Sequence, residues 1–517
     1  MQIKTKYGMA EGVYDGDEEH VLFAGIPYAR PPVDNLRWKP PQPPEPWEGV
    51  RRCDAYGPAA VQRVIPVGPG RWMCYGQEYF PAEQDRFSED CLYLNIWVRT
   101  EALRQKKRLP VLVIIHGGGY TTGAGHVPVL NGRNFSDEDV VVVTFNYRIG
   151  IFGFLAHPAL SAENERHVSG NYGFLDQIAA LKWVRENIAA FGGNPDCVTI
   201  AGESAGGGSV SVLYQSPLAK GLFHRAFAQS AALFTGTSLD GGRTASLAWH
   251  EQVNRAEFEK LGITTAKQMR AMDVRELCRI PGAWGPVYDG YVLDGNYRSI
   301  FCGRRQNDVS LMVGSNSDEG LIFADPGMEK EEFCREIEER YGEHARDIKA
   351  VYLKEGAKMP QAVFDERRDR MFEQHTYVWA RLQSEYGTAP VWLYYFDRKI
   401  PDVGYGAFHS SALEFFYRNL DCSDVRWQET DRRLSETMAA YLKNFIYYGN
   451  PVQGEDREWK TAAEAPEEVM RFGERTGMAP MPHPEAVRTL TKAFGLDDII
   501  AFREKPDLKT GNNKKKG

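Results

Sequence analysis

No apolar run in the sequence is long enough to cross a bilayer: the most apolar stretch, Leu109–Ile115, falls far short of the about 20 residues a spanning helix needs. The opening residues, MQIKTKYGMAEGVYDGDEEH, contain no apolar core of the kind a secretory signal carries, so a cytoplasmic location is expected. Also missing are Cys-x-x-Cys pairs and His/Cys clusters. The eight cysteines (Cys53, Cys74, Cys91, Cys197, Cys278, Cys302, Cys334, Cys422) are scattered, which argues against a zinc site and for free structural thiols. A basic excess is absent as well: the formal net charge is -8, which favours solubility and gives no electrostatic footprint for nucleic acid. There is no internal repeat, no Walker-type phosphate loop and no dinucleotide fingerprint, and Gly206-Gly207-Gly208 follows a serine rather than opening such a motif. No cofactor and no metal are expected.

What remains is a chain of 517 residues, 43% hydrophobic and 26% charged, enough to bury a sizeable core. Two continuous runs rich in β-branched residues, 111–115 and 140–145, read as strands covered on both faces. With 198–201, 225–229, 309–313 and 391–395 they make at least six strands, and helical stretches such as 172–190 and 209–214 lie between them. This alternation predicts an α/β fold with a mostly parallel central sheet flanked by helices. The prolines of IPYARPPVDNLRWKPPQPPEPW, residues 26–47, predict an extended surface strap packed by Trp38 and Trp47. Residues 66–83, rich in Gly, Pro and aromatics, read as a loop that could overhang a site. Mixed helical insertions near 233–304 and 330–385 are where a substrate pocket would be built. A long amphipathic helix over 431–448 carries Leu434, Met438, Tyr441, Leu442 and Phe445 on one face. The tail 506–517, ending GNNKKKG, is expected to be disordered.

The chemistry centres on FGGNPDCVTIAGESAGG, residues 191–207, where a short apolar strand runs into Gly202-Glu203-Ser204-Ala205-Gly206. Such a turn is so tight that side chains two before and two after the serine would strike the backbone. Gly202 and Gly206 are therefore required sterically, and the Ser204 hydroxyl projects into a cleft. A serine hydroxyl is a poor nucleophile near neutral pH, so it needs a histidine base and a carboxylate that fixes the histidine tautomer. It also needs donors for the tetrahedral oxyanion. His116-Gly117-Gly118-Gly119-Tyr120, directly after the 111–115 strand, can supply the N–H groups of Gly118 and Gly119, and Ala205 supplies the one after the nucleophile.

Behind an elbow of this kind the acid and then the histidine follow the serine in chain order, which leaves His224, His250, His344, His375, His409 and His483. His250, His344 and His375 lie in polar helical stretches and read as surface residues. His409, in GYGAFHSSALEFF, has the loop setting a base requires. In GSNSDEG, after the 309–313 strand, either Asp318 or Glu319 could reach a histidine.

These blocks together resemble the type-B carboxylesterase and cholinesterase family of α/β-hydrolases. The likeness runs in order through FAGIPYARPP, SEDCLYLN, HGGGY, NYRIGIFGFL, GNYGFLDQIAALKWVRENIAAFGGNP, GESAGG, NSDEG, the histidine loop and NFIYYGNP, nearly the whole chain. It implies one α/β-hydrolase domain over 1–505 with the two insertions shaping a substrate gorge. It further implies Ser204 as nucleophile, Glu319 rather than Asp318 as acid, His409 as base, and Gly118, Gly119 and Ala205 as the oxyanion hole. Ser230 would support the acid, and Arg37 with Glu89 and Arg148 with Asp176 would be structural ion pairs. Tyr120, Glu203 and Trp284 would border the substrate pocket, with Glu203 on the alcohol side and Trp284 on the acyl side.

Three departures from the family stand out. The cysteine that secreted members pair with the one at Cys91 is replaced by Ala60, with Cys74 as the other conceivable partner. Ala412 stands where many bacterial relatives carry a glutamate, and Glu414 follows. No tryptophan in 62–90 matches the one that holds choline, so choline esters are not expected. The implied function is cofactor-independent hydrolysis of small carboxylic esters through an acyl-enzyme, with no nucleic-acid or membrane partner, as a monomer or homodimer. Amide hydrolysis or acyl transfer by the same residues, and a non-catalytic adhesion or scaffold protein of this fold, are the rivals.

Overall fold

Successive residues of a strand point to opposite faces, and a strand apolar on both faces must be covered on both. The computed structural model shows this directly for residues 111–115. Val111, Val113 and Ile115 enter the core on one side of the sheet and Leu112 and Ile114 the core on the other, all at most 1% exposed. The structure describes residues 1–63, 74–81, 86–231, 245–452 and 458–500. Most of the 66–83 loop, residues 233–244 of the first insertion and the 506–517 tail lie outside the described residues.

We number the strands that position the site as β1 (Tyr93–Arg99), β2 (Leu109–Ile115), β3 (Val141–Phe145), β4 (Gly193–Glu203), β5 (Arg225–Gln229), β6 (Ser310–Asn316), β7 (Val391–Phe396) and β8 (Glu468–Phe472). They lie side by side in the order β1-β3-β2-β4-β5-β6-β7-β8 within a thirteen-stranded sheet among the described residues. From β3 to β8 every pairing is parallel. Antiparallel strands complete both edges, His20–Pro27 through its pairing with β1 and Gly477–Pro480 against β8. The parallel core matches the sequence reading; the antiparallel edges are additional to it.

Parallel strands present all their C-terminal ends at one rim, and open α/β sheets bind ligands there. The register aligns those ends: Ile115 is opposite Gly202, Glu203 opposite Gln229, Gln229 opposite Gly314, and Asn316 opposite Phe396. Four loops that carry candidate chemistry therefore leave from neighbouring strands.

The helix after β4, α1 (Ala205–Gln215), starts four residues earlier than the sequence suggests and takes Gly206, Gly207 and Gly208 into its first turns. Glycine is a weak helix former, but here close approach decides. A Cβ on Gly206 would strike the Ile115 carbonyl, and one on Gly207 would sit 2.7 Å from the Gln229 carbonyl. The long helix α3 (Glu429–Tyr448) packs against α2 (Ala412–Phe416), which follows the histidine loop, and buries the apolar face expected of it.

The proline strap has the expected anchors. Trp38 is buried and donates to the Ile151 carbonyl at 2.8 Å, and Trp47 donates to the Met9 carbonyl at 2.8 Å. The described part of the first insertion closes over Trp38 with Phe258, Met269 and Leu277, and Arg37 binds both Glu89 and the carbonyls of Arg270 and Met272. Arg148 and Asp176 form a buried bidentate pair at 2.7 Å.

Two histidines depart from their reading as surface residues. His250 is buried in Leu247–Lys260, and His375 is 1% exposed in Gln374–Tyr386, which packs against β6 and β7. Burial pushes His375 down to about 3, so it is neutral. The polar letters around it suggest solvent, but the helix is wedged between the sheet and the C-terminal helix Pro484–Ala493, and tertiary packing overrides the pattern. All eight cysteines are free, so Cys74 and Cys91 do not pair.

Candidate active site

The turn from β4 to α1 holds Ser204 at φ 56°, ψ -123°, a conformation that an L-residue keeps only where its surroundings enforce it. The Ser204 N–H donates to the Gln229 carbonyl at 3.0 Å, which fixes the turn to the end of β5. A Cβ on Gly202 would collide with the Gly206 backbone, the steric demand that the sequence motif implies. The helix begins at the residue after the serine, so the positive end of its dipole lies beside the hydroxyl.

The glycine turn after β2 passes beside this elbow. Gly118 and Gly119 have φ of 105° and 60°, and a Cβ on Gly118 would strike the Thr122 carbonyl. Among the described residues no backbone carbonyl takes the N–H groups of Gly118, Gly119 or Ala205. His116, buried and pushed down to about 4 by that burial, places Nδ1 2.9 Å from the Gly117 carbonyl and stacks on Tyr147. Holding that carbonyl back fixes the peptide plane whose other end is the Gly118 N–H. Gln62 braces the same loop, accepting from Gly123 N–H at 2.8 Å and from the Thr122 hydroxyl at 2.6 Å. The sequence reading names His116 only as the start of the turn and gives it no role, and it does not single out Gln62, whose contacts to Thr122 and Gly123 span about 60 residues.

At the end of β6 the adjacent carboxylates take different partners. Glu319, fully buried, puts Oε2 2.5 Å from His409 Nδ1, while its Oε1 accepts from the Ser230 hydroxyl at 2.5 Å and the Asn316 N–H at 2.7 Å. Asp318 instead accepts from the Ala407 N–H at 2.9 Å. His409 is 4% exposed, and its ring lies against Phe323 and Phe372 at 5.5 and 4.7 Å between centroids. Phe372 is presented by a π-helical turn, Asp369–Glu373, of the wide kind that recurs at functional sites.

The far nitrogen, His409 Nε2, lies 3.2 Å from Glu203 Oε1, and Ser410 donates to the same oxygen at 2.7 Å. Burial works against a charge on the ring, but the carboxylates of Glu203 and Glu319 on its two nitrogens prevail and raise His409 above its usual 6.5. Glu203 is itself pushed up to about 7, by burial first and by the charge of Glu319 after that.

Ser204, His409, Glu203, Gly118 and Gly119 share the wall of one cavity of about 200 Å³, whose remaining lining is mainly apolar, including Tyr75, Tyr79, Val127, Leu130 and Leu413. Of the two aromatics expected at the pocket, neither is on this wall. Tyr120 packs on Phe154 and Phe174, and Trp284 on the apolar cluster around Phe258 and Met269. Both are adjacent in sequence to segments that matter, but each is half-buried and packs against the core. Glu414, five residues beyond His409, accepts from Tyr79 Oη at 3.2 Å and is pushed up to about 8 by burial, so it ties the aromatic wall to α2. His224 and His483 are both pushed down by burial and stand apart from this wall.

A serine on a strained turn, a histidine on a buried carboxylate and N–H groups beside the serine that no backbone carbonyl takes among the described residues form the set that acyl transfer requires. Among the described residues no group of His, Cys, Asp and Glu is placed to hold a metal ion, and no helix is long and apolar enough to cross a membrane.

Comparison with known proteins agrees with this chemistry. The model of the carboxylesterase family matches residues 1–489. The chain is 36% identical over 490 residues to the fumonisin B1 esterase of Sphingopyxis macrogoltabida, covering 92% of this chain and 86% of that protein. It is 35% identical over 467 residues to the para-nitrobenzyl esterase of Bacillus subtilis (strain 168), covering 87% and 90%. The solved structure of a thermophilic PNB esterase superposes with a TM-score of 0.80 at 31% identity over 95% of this chain and 99% of that one.

Proposed function

The chain belongs to the carboxylesterase family and is a carboxylic ester hydrolase; from that premise we propose that it works through Ser204 as nucleophile, His409 as general base and acid, and Glu319 as the carboxylate that holds the histidine. The observation that carries the assignment is the 2.5 Å contact of Glu319 Oε2 with His409 Nδ1, on a histidine that shares one cavity wall with Ser204. A carboxylate there keeps the proton on Nδ1 and leaves Nε2 to accept the serine proton.

In the forward step Ser204 Oγ attacks the ester carbonyl as its proton passes to His409 Nε2, and the carbonyl oxygen becomes an oxyanion facing the N–H groups of Gly118, Gly119 and Ala205. Collapse breaks the carbon–oxygen bond to the alcohol, which leaves with the proton from His409. Water then attacks the acyl-enzyme, again losing its proton to His409, and the acid departs as Ser204 recovers its proton. Because His409 hands its proton to the departing alcohol, the alcohol must leave on the His409 side. Tyr75 and Tyr79 of the cavity wall pack on Phe408, the residue before His409, so that side is apolar, which suits an uncharged alcohol.

A fluorophosphonate probe tests the assignment on the intact chain. One adduct per molecule is expected, located by peptide mass spectrometry on Ser204. No adduct, or an adduct on another residue, would sink the assignment and favour a scaffold role or another nucleophile.

The carboxylates around His409 also fix the pH dependence. Catalysis needs the neutral imidazole, so kcat/KM must rise as pH climbs through the His409 pKa. Since that pKa is raised, the midpoint of the ascending limb is expected above 6.5. Glu203→Gln removes one negative charge 3.2 Å from Nε2 and should move the midpoint down. A midpoint that stays put or rises in the variant would show that Glu203 does not hold the proton on His409.

A further inference from the structure

Asp318 and Glu319 are neighbouring carboxylates that the mechanism uses unequally. The backbone at Asp318, φ -116° and ψ 33°, turns the chain out of β6 into the short 3-10 helix Glu319–Phe323, so the two side chains diverge. Glu319 reaches the histidine ring; Asp318 reaches the backbone two residues before it. Asp318 Oδ2 accepts from the Ala407 N–H at 2.9 Å and from the Ser317 hydroxyl at 2.6 Å, and the Asp318 N–H donates to the Ala407 carbonyl at 3.1 Å. Ala407 is fully buried, so Asp318 satisfies both of its backbone polar groups. The next carbonyl, that of Phe408, accepts from Asn316 Nδ2 at 2.8 Å and from the Ser411 hydroxyl at 2.7 Å.

The approach is close enough to constrain the neighbouring sequence. Gly406 has φ of 64°, and a Cβ there would collide with the Asp318 carboxylate. The loop that holds the acid and the loop that holds the base are thereby joined within three residues of the Glu319–His409 contact. His409 itself lies on backbone that needs support: the following residue, Ser410, has φ of 75°.

We propose that Asp318 is a positioning residue of the esterase, clamping both backbone groups of Ala407 so that the His409 ring keeps its place between Glu319 and Ser204. The proposal rests on the Ser204–His409–Glu319 assignment. Asp318 acts through the histidine loop and touches neither substrate nor reacting atoms. A carboxylate serves because it accepts from the Ala407 N–H and the Ser317 hydroxyl at once, while the backbone N–H of Asp318 donates to the Ala407 carbonyl, so that the clamp on Ala407 is closed at two points and steadied by Ser317. Displacement of a reacting group by an ångström can lower a rate about 100-fold, and that is the scale at stake here.

The test compares Asp318→Ala, Asp318→Asn and Gly406→Ala with the wild-type enzyme. Each is titrated with the fluorophosphonate to count reactive Ser204, and kcat per titrated site, KM and the pH profile are then measured on a p-nitrophenyl ester. Asp318→Ala should lose on the order of 100-fold in kcat per site with KM within about two-fold. The midpoint of its ascending pH limb should fall as the Glu319–His409 contact loosens. Asp318→Asn keeps an oxygen acceptor for the Ala407 N–H and should recover most of the rate, whereas Gly406→Ala, pressing on the clamp from the other side, should reproduce the loss.

Unchanged kcat per site and unchanged midpoint in Asp318→Ala, even with a lower melting temperature, would overturn the proposal, as would equal impairment of the Asn and Ala variants. If Asp318→Ala does not fold, Gly406→Ala decides by the same two readouts. A wild-type enzyme that fails to label on Ser204 would count against the triad assignment and not against the clamp.

Discussion

His409→Ala is expected to lower kcat on the order of 10⁶-fold, about 8 kcal/mol of transition-state stabilisation, with the residual rate left to the oxyanion donors and substrate binding. The magnitude follows from the division of labour at the site. The other wall groups are poor substitutes as a base for Ser204: His116, pushed down to about 4 by burial, is a weak base whose Nδ1 faces the Gly117 carbonyl, and Glu203 has no second carboxylate aligned behind it as Glu319 is behind His409. The substitution also leaves Glu203 and Glu319 buried without the histidine ring between them, so a stability loss accompanies the rate loss. His409→Gln separates the two. It restores much of the volume between Phe323 and Phe372 and offers a donor to the carboxylates, so its melting temperature should stay nearer the wild-type value while kcat remains as low as in the alanine variant. Steady-state turnover of a p-nitrophenyl ester, with melting temperatures measured beside it, checks both expectations. A residual kcat within about 100-fold of wild type would mean that another group takes the serine proton.

Glu319→Gln is expected to lower kcat by about 10⁴-fold with the fold intact, because of which way the new amide must point. Oε1 of Glu319 receives two donors, the Ser230 hydroxyl at 2.5 Å and the Asn316 N–H at 2.7 Å. A glutamine therefore keeps its oxygen at that position and turns its NH₂ toward His409 Nδ1. The ring is then driven into the tautomer protonated on Nε2, which cannot accept the Ser204 proton. KM should change little, since the substrate does not meet Glu319, which is fully buried. Ser230→Ala in the glutamine background tests the cause. With one donor to the amide oxygen removed, the flipped amide becomes accessible and part of the lost rate should return. If the double variant is no faster than Glu319→Gln, lost charge rather than tautomer explains the defect.

Much of this arrangement is legible in the sequence because steric and electronic demands leave few substitutes. Only glycine fits at 202 and 206, where a side chain would meet backbone, and the β-branched runs 111–115 and 140–145 can sit stably only inside a two-sided sheet. Chain order and loop setting brought His409 forward, and the resemblance added Glu319. The reading of His250 and His375 as surface residues failed because helical polarity is a local signal, whereas burial is set by what a helix packs against. Tyr120 and Trp284 lie off the described cavity for a similar reason: position along the chain says which segment is near the site, and backbone dihedrals say which way a ring turns. The helix after Ser204 begins earlier than its glycines suggest because close contact with Ile115 and Gln229 outweighs propensity.

The Gly202-to-Gly206 elbow, the glycine turn after β2 and the parallel α/β alternation are properties that the sequence by itself determined, since each rests on local geometry that few residues can adopt. The family resemblance puts Glu319 before Asp318 as the acid, but the tertiary structure alone gave Asp318 its separate partner, the backbone of Ala407, while Glu319 meets the ring of His409. It alone placed a third carboxylate, Glu203, on the opposite nitrogen of the histidine. The reason is physical. The partners that tell the two carboxylates apart, the His409 ring and the Ala407 N–H, lie about 90 residues away along the chain, and only the register of parallel strands brings them within 3 Å.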